Sequence, residues 1–361
     1  MKAEIIQPLY NETPSSYVDR IGQLYVSNTN MQRRKSLAQF FTPLEVAIFM
    51  ARLYQPYKKV ISILDPGAGI LGCTLCQHIA DSPDKTETIE LTTYELDGNL
   101  IPYLERSLQY TQTWLNKKNV RFSYKIKAED FILGNANKIN KIKTLFEDQQ
   151  EKNSLYDIVI SNPPYFKISG ADIRAKIAEF IVHGQPNIYA IFMAVSACLL
   201  EQEGELIFIT PRSYAAGSYF RLFREQFFST VSPVFLHLFG SRREAFGRDK
   251  VLQENIIIKA KRQKTSPNSL NKDTVKISYS QGIGDLSESP QYQLPLTEII
   301  DLKNKSNILR VPVSAEEEEI INIVNSWKGS LYTYGMEIST GPVVPFRATS
   351  YITDNVEVNS P

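Results

Sequence analysis

The sequence predicts an α/β fold: a doubly wound, mostly parallel sheet with helices on both faces and an antiparallel terminal hairpin. Short β-rich runs alternate with longer helical patterns from about Val60 onward, and the first run feeds a glycine-rich turn that opens a helix. In a chain of 361 residues, 43% of them hydrophobic, there is enough apolar material for a large core.

Taken in order, residues 1–34 read as a helical extension. PLEVAIFMARLY, Pro43 to Tyr54, is an amphipathic helix pattern with Pro43 at its first position and Thr42 as its cap. The strand VISIL leads into the helix LGCTLCQHIA, and IELTTYEL into NLIPYLERSLQYTQTWL. YDIVISN leads into NIYAIFMAVSACLL, and ELIFITP into YFRLFREQFF. VFLHLF and ENIIIKA follow with no comparable helix between them, so the sheet is expected to end in an antiparallel pair. KRQKTSPNSLNKD, Lys261 to Asp273, is polar and turn-rich and reads as a linker. Beyond it come a strand-like TVKISYS and an acidic helix start, AEEEEIINIV.

Lys and Arg total 40 against 39 Asp and Glu, so the net charge argues neither for nor against a polyanionic partner. Three cysteines do not make a disulfide framework, and MKAEIIQPLYNETP lacks the basic and apolar regions of a signal peptide. With no apolar run of membrane-spanning length, a cytoplasmic chain with no membrane partner is expected. Cys73 and Cys76 form a C-x-x-C on one helix face, which reads as apolar packing; only three histidines exist, and no metal site is expected.

VISIL runs into Asp65-Pro66-Gly67-Ala68-Gly69-Ile70-Leu71-Gly72, a G-x-G-x-x-G at the right place in a βαβ unit. Glu95, at the end of the next strand, stands where a carboxylate can accept both hydroxyls of a ribose. That much fits a dinucleotide or S-adenosyl-L-methionine equally. A dinucleotide would place its pyrophosphate on the helix N-terminus, whereas the amino acid and sulfonium of S-adenosylmethionine would find Asp65 a sensible neighbour.

In YDIVISNPPYFKI a buried-strand run is followed at once by two prolines, which cannot continue a sheet ladder, and then by an aromatic. The exocyclic amine of adenine is a poor nucleophile because its lone pair is delocalised into the ring. Two acceptors on its two N–H groups would draw the nitrogen toward tetrahedral geometry. Asn162 offers a side-chain carbonyl, Pro163 a backbone carbonyl, Pro163 and Pro164 a fixed loop, and Tyr165 a face for the base. The stretch therefore reads as a clamp for a planar amine about to be methylated.

With these motifs in this order, residues 35 to 262 resemble the TaqI-like gamma class of N6-adenine DNA methyltransferases from restriction-modification systems. The resemblance implies a Rossmann-like S-adenosylmethionine-dependent methyltransferase fold, with Phe41, Thr42 and Pro43 of QFFTP near the methionine part of the cofactor. It implies Asp65, Gly67 and Gly69 in the cofactor loop, Glu95 on the ribose, Asp130 on the cofactor's adenine amino group and Phe131 packed on that ring. Asn162, Pro163, Pro164 and Tyr165 are then catalytic, and Phe246 of SRREAFGRDK covers the target base opposite Tyr165. Ala68 and Ile70 depart from the family's more usual residues at those places. Arg242, Arg243, Arg248 and Lys250 around Phe246 suit a flipped base and its flanking phosphates, so the expected partner is double-stranded DNA with base flipping.

The implied division is a 1–34 extension, a 35–264 catalytic domain, and a 265–361 linker with the start of a C-terminal target recognition domain. TGPVVPFRATSYI resembles the beginning of that domain, and a partner chain or a missing C-terminal domain is expected to complete target recognition. NPPY also serves enzymes that methylate glutamine amides in proteins, but those are shorter and lack the FFTP segment. A truncated methylase subunit that binds DNA without catalysis is the other alternative.

Overall fold

In the computed structural model the described residues are 6–36, 39, 41–139, 155–240, 254–263, 273–300, 306–312, 315–329 and 331–337. Its strands are β1 (Val60–Asp65), β2 (Thr88–Tyr94), β3 (Arg121–Lys127), β4 (Tyr156–Ser161), β5 (Leu200–Pro211), β6 (Val231–Phe239), β7 (Asn255–Arg262), β8 (Thr274–Ser280) and β9 (Gln291–Pro295). They form one sheet in the order β3-β2-β1-β4-β5-β7-β6-β8-β9. Pairings from β3 through β5 are parallel, β7 is antiparallel to both β5 and β6, β8 runs parallel to β6, and β9 antiparallel to β8. Ile158, Val159 and Ile160 of β4 are fully buried, which is why that strand reads as a continuous aliphatic run rather than an alternation.

The helices are α1 (Pro14–Asn28), α2 (Met31–Ser36), α3 (Leu44–Arg52), α4 (Ile70–Asp81), α5 (Ile101–Lys117), α6 (Phe131–Gly134), α7 (Ile173–Ile177), α8 (Ile188–Cys198), α9 (Arg221–Thr230) and α10 (Leu296–Ile299). The start of α1 follows from Thr13, whose side chain accepts the Ser16 N–H, and from Pro14, whose missing N–H costs nothing at a first helical position. Tyr17, Val18, Ile21 and Tyr25 form its buried stripe, packed toward α4 and α5. α8 is apolar all round because it is buried all round.

The structure differs from the sequence reading in three places. Pro43 is itself the cap of α3, with its carbonyl accepting the Ala47 N–H at 2.9 Å, and no side chain caps the helix. Thr42 is therefore released from that role. The antiparallel pair forms, but β7 inserts between β5 and β6, and the sheet continues through β8 and β9. Val275 and Ile277 of β8 are fully buried, so the boundary expected at residue 264 falls inside a single sheet. A compact unit runs from Met1 to Val311, and a second from Pro312 to Pro361, whose described part holds helix α11 (Ala315–Ser326). No helix among the described residues is long and apolar enough to cross a membrane.

Candidate functional site

Strand order reverses between β1 and β4, and in such sheets ligands bind in the crevice beyond the carboxyl ends of the strands at that reversal. The loops after β1 and β4 meet there: a Cβ on Gly67 would lie 3.4 Å from the Asn162 carbonyl oxygen. Asp65 lies beneath the first loop rather than in its mouth. Its carboxylate accepts N–H bonds from Gly72 at 3.1 Å and Gly67 at 3.4 Å. A Cβ on Gly72 would stand 3.0 Å from Asp65 Oδ2, so glycine is what lets α4 start this close. Burial pushes the Asp65 carboxyl up to about 7. Expected as a cofactor neighbour, Asp65 instead pegs the loop from below, at 2% exposure.

Above the loop is a cavity of about 400 Å³ whose wall includes Thr42, Gly67, Gly69, Glu95, Phe131 and Asn162. Phe41 and Asp130 line it too, while Pro43 is buried at the head of α3. Glu95 stands half-buried just after β2, and its Oε1 accepts the Asp97 N–H at 2.6 Å. Burial first, with the charge of Asp97 added, pushes its carboxyl up to about 7. Phe131 packs against Tyr94 and Phe192, with centroids 5.1 and 4.9 Å away. Asp130 caps α6 through Oδ1, which takes the N–H groups of Ile132 and Leu133, and its Oδ2 lies 3.4 Å from Arg174.

At the end of β4 the Asn162 amide is held at both ends. Its Nδ2 donates to Thr42 Oγ1 at 3.1 Å, and its Oδ1 accepts from the Tyr165 hydroxyl at 2.5 Å. That hydroxyl also reaches the Ile209 carbonyl at 2.9 Å, while the half-buried ring packs edge-on against Tyr189. Pro164 lines the cavity and Pro163 is buried behind it.

Sequence reasoning missed part of this site. Asp97 is a hub: its carboxylate accepts from Tyr25 of α1 at 2.6 Å, Arg33 of α2 at 2.9 Å, Gln39 at 3.1 Å and the Asn99 N–H at 3.0 Å. The N-terminal helices are thereby tied to the loop that carries Glu95. Arg174, clasped by Asp172, and Phe192 also line the cavity. A lone acid two residues after Glu95 gives no sequence signal for that role, and Phe192 sits in a helix apolar throughout. Phe246, Arg242, Arg243, Arg248 and Lys250 lie outside the described residues. Cys73 and Cys76 are free thiols in the core at 1% and 0% exposure, and burial pushes Cys73 up to about 12. No group of His, Cys, Asp and Glu able to hold a metal occurs among the described residues.

Residues 77–246 match the Eco57I restriction-modification methylase family. The chain is 29% identical over 349 residues to the type II methyltransferase M.PstI of Providencia stuartii, covering 95% of this chain and 66% of that protein. It is 32% identical over 324 residues to the type II methyltransferase M.BsuBI of Bacillus subtilis, covering 89% of this chain and 61% of that one. The chain thus spans about two thirds or less of these relatives' own lengths. Among solved structures, a Listeria monocytogenes protein described as a class I S-adenosylmethionine-dependent methyltransferase superposes with a TM-score of 0.54 at 16% identity, covering 77% of this chain and 76% of that one. The DNA-bound type ISP restriction-modification enzyme LlaBIII superposes with a TM-score of 0.53 at 14% identity, covering 84% of this chain and 25% of that one. The fold is that of the class I S-adenosylmethionine-dependent methyltransferases.

Proposed function

Homologous over most of its length to type II methyltransferases of restriction-modification systems, the chain is, we propose, a DNA methyltransferase that transfers the methyl group of S-adenosylmethionine to the N6 amine of a flipped-out adenine. The observation that carries this reading is the position of Asn162. It lies at the end of the strand beside the reversal point, in the wall of the same cavity as Glu95 and Phe131.

The cavity fits the cofactor. Glu95 is a half-buried carboxylate that gathers backbone N–H groups and is pushed up to about 7, which is the environment that two ribose hydroxyls would complete. Phe131 and Phe192 offer ring contacts for an adenine, and Asp130, which lines the cavity with its Oδ2 3.4 Å from Arg174, is the acceptor assigned to its amino group. When bound, S-adenosylmethionine supplies a methyl group already activated on a sulfonium.

The remaining steps belong to the chain's own residues. Asn162 Oδ1 has two lone pairs; Tyr165 uses one and the other accepts an N–H of the target amine. The Pro163 carbonyl takes the second N–H, and the nitrogen lone pair is freed for attack. Tyr165 and Phe246 flank the extruded base, and the basic residues around Phe246 hold flanking phosphates. The amine's surplus proton leaves to water after transfer.

The test is incubation with tritiated S-adenosylmethionine and duplex DNA, followed by nucleoside analysis. Label in N6-methyladenine supports the reading, and label in methylated cytosine or in protein glutamine rejects it. Asn162→Ala is expected to lose transfer at least a hundredfold, by analogy with loss of one preorganised polar contact to the reacting group. Cofactor affinity, read by calorimetry, is expected to stay within about threefold because the amide is assigned to the amine.

A further inference from the structure

We propose that Thr42 is a positioning residue that sets which way the Asn162 amide faces, so that filling the cofactor cavity and arming the catalytic amide are one event. The proposal rests on the methyl-transfer reading above and extends it. An asparagine amide has two ends of nearly equal size and opposite hydrogen-bonding sense, and only the oxygen end can accept from an amine. Something must break that symmetry.

Tyr165 cannot do so alone. Its single hydroxyl proton has two claimants, Asn162 Oδ1 at 2.5 Å and the Ile209 carbonyl at 2.9 Å. With the proton on Asn162 the oxygen end is held toward Tyr165. With the proton on Ile209, the tyrosine oxygen would accept an N–H from the reversed amide just as well. At the other end of the amide, Thr42 Oγ1 lies 3.1 Å from Nδ2 and belongs to a residue that also lines the cavity, so it can relay the state of the cavity to the amide.

Thr42 is 6% exposed, makes no capping bond to α3, and is among the residues that line the cavity. A hydroxyl whose proton points at an acceptor in the cavity presents only lone pairs to Asn162. It then accepts Nδ2–H and fixes the oxygen toward Tyr165 and the incoming amine. A hydroxyl with no acceptor there is free to donate to the amide instead and stabilise the reversed orientation. Cofactor binding and amide orientation are coupled through the direction of one proton, without movement of the backbone.

The experiment uses the full chain in three forms: wild type, Thr42→Val, which keeps the shape and removes the hydroxyl, and Thr42→Ser, which restores it. Single-turnover transfer from saturating S-adenosylmethionine is expected to fall roughly tenfold or more in Thr42→Val and to recover to within about threefold in Thr42→Ser. The cofactor dissociation constant should rise in Thr42→Val by roughly two- to tenfold, the loss of one hydroxyl hydrogen bond, and saturating cofactor removes that loss from the transfer rate.

A second readout needs no turnover. The Asn162 side-chain 15N–1H pair, assigned by its loss in Asn162→Ala, should shift on cofactor addition in wild type and Thr42→Ser and be unresponsive in Thr42→Val. If the pair responds alike in all three, or if transfer at saturating cofactor is unchanged in Thr42→Val and only cofactor affinity falls, Thr42 is a cofactor contact or a packing residue and the proposal fails. Retention of transfer by Asn162→Ala would instead remove the catalytic reading itself, so the two failures are distinguishable. Should Thr42→Val fail to fold, Thr42→Ala carries the same pair of measurements.

Discussion

Glu95 and Asp65 are both acids pushed up to about 7 by burial, yet they differ in what is left for a ligand. Asp65 spends its carboxylate on the glycine loop, whereas Glu95 faces the cavity. An ionised Glu95 makes charge-assisted bonds to ribose hydroxyls that a neutral one cannot, so cofactor affinity should rise as pH passes upward through about 7. Glu95→Gln is expected to weaken binding by about 1–3 kcal/mol at pH 8 and to flatten that dependence. Calorimetry from pH 6 to 8 on both forms separates this effect from titration of the cofactor's own amino group. An equal slope in both forms would remove Glu95 from the ribose. At this scale much of the site was legible, because Asn162, Glu95 and Gly67 stand at strand ends, where local pattern and chemistry coincide. Thr42 was misassigned because Thr-Pro before a helix suggests a cap, and only the tertiary partner 120 positions away shows where the hydroxyl goes.

The elements legible in the sequence were those with one strong period, while the partners of their polar side chains were not. α1 shows a capped start and an apolar stripe, but the stripe ends in Tyr25, whose hydroxyl meets Asp97 across 72 positions. β3 went unread because RFSYKIK is charged and only partly buried, and β9 because QYQLP is short and mostly exposed. The consequence for α1 is functional. Asp97 N–H holds Glu95 Oε1, and the Asp97 carboxylate is itself held by α1, α2 and Gln39. The helical extension is thus part of the cavity's frame rather than an appendage. Tyr25→Phe keeps the ring contacts with Phe41 and Tyr103 and removes only the hydroxyl. Its loss should weaken S-adenosylmethionine binding by roughly three- to tenfold, the range for one hydrogen bond to a charged group acting at one remove. Melting in the absence of cofactor should move by only a few degrees. Unchanged affinity alongside a lowered melting temperature would make α1 a stabilising element only.

For the whole molecule, the parallel ladder that joins β8 to β6 carries a buried histidine whose side chain bonds across it. His237 of β6 is fully buried, with Nδ1 2.7 Å from Ser278 Oγ and Nε2 3.0 Å from Ser280 Oγ, both on β8. Ser280 gives its own proton to the Gly282 carbonyl at 2.9 Å, so its oxygen accepts from Nε2–H and leaves Nδ1 to accept from Ser278. The neutral ring is thereby satisfied, and a proton on Nδ1 would break one of the two bonds. Burial pushes its pKa down to about 4 against the opposing charge of Asp285, while an unfolded histidine titrates near 6.5. A group that binds its proton more weakly when folded leaves the folded state favoured above its unfolded pKa, and that advantage is lost as pH falls from about 6.5 to about 4. The slope is at most about 1.4 kcal/mol per pH unit for one proton, so roughly 2 kcal/mol should disappear between pH 6.5 and 5. Asp65 and Glu95, with raised values, have the opposite sign over the same window and mask this in the wild-type curve alone. The difference between wild type and His237→Gln isolates it, because glutamine can bond to both serines and does not titrate. Denaturant unfolding of the two forms from pH 7.5 to 5 should show the wild type losing stability relative to the variant as pH falls. A pH-independent difference would mean that His237 keeps its proton balance on unfolding, and that the β6–β8 seam does not depend on a neutral ring.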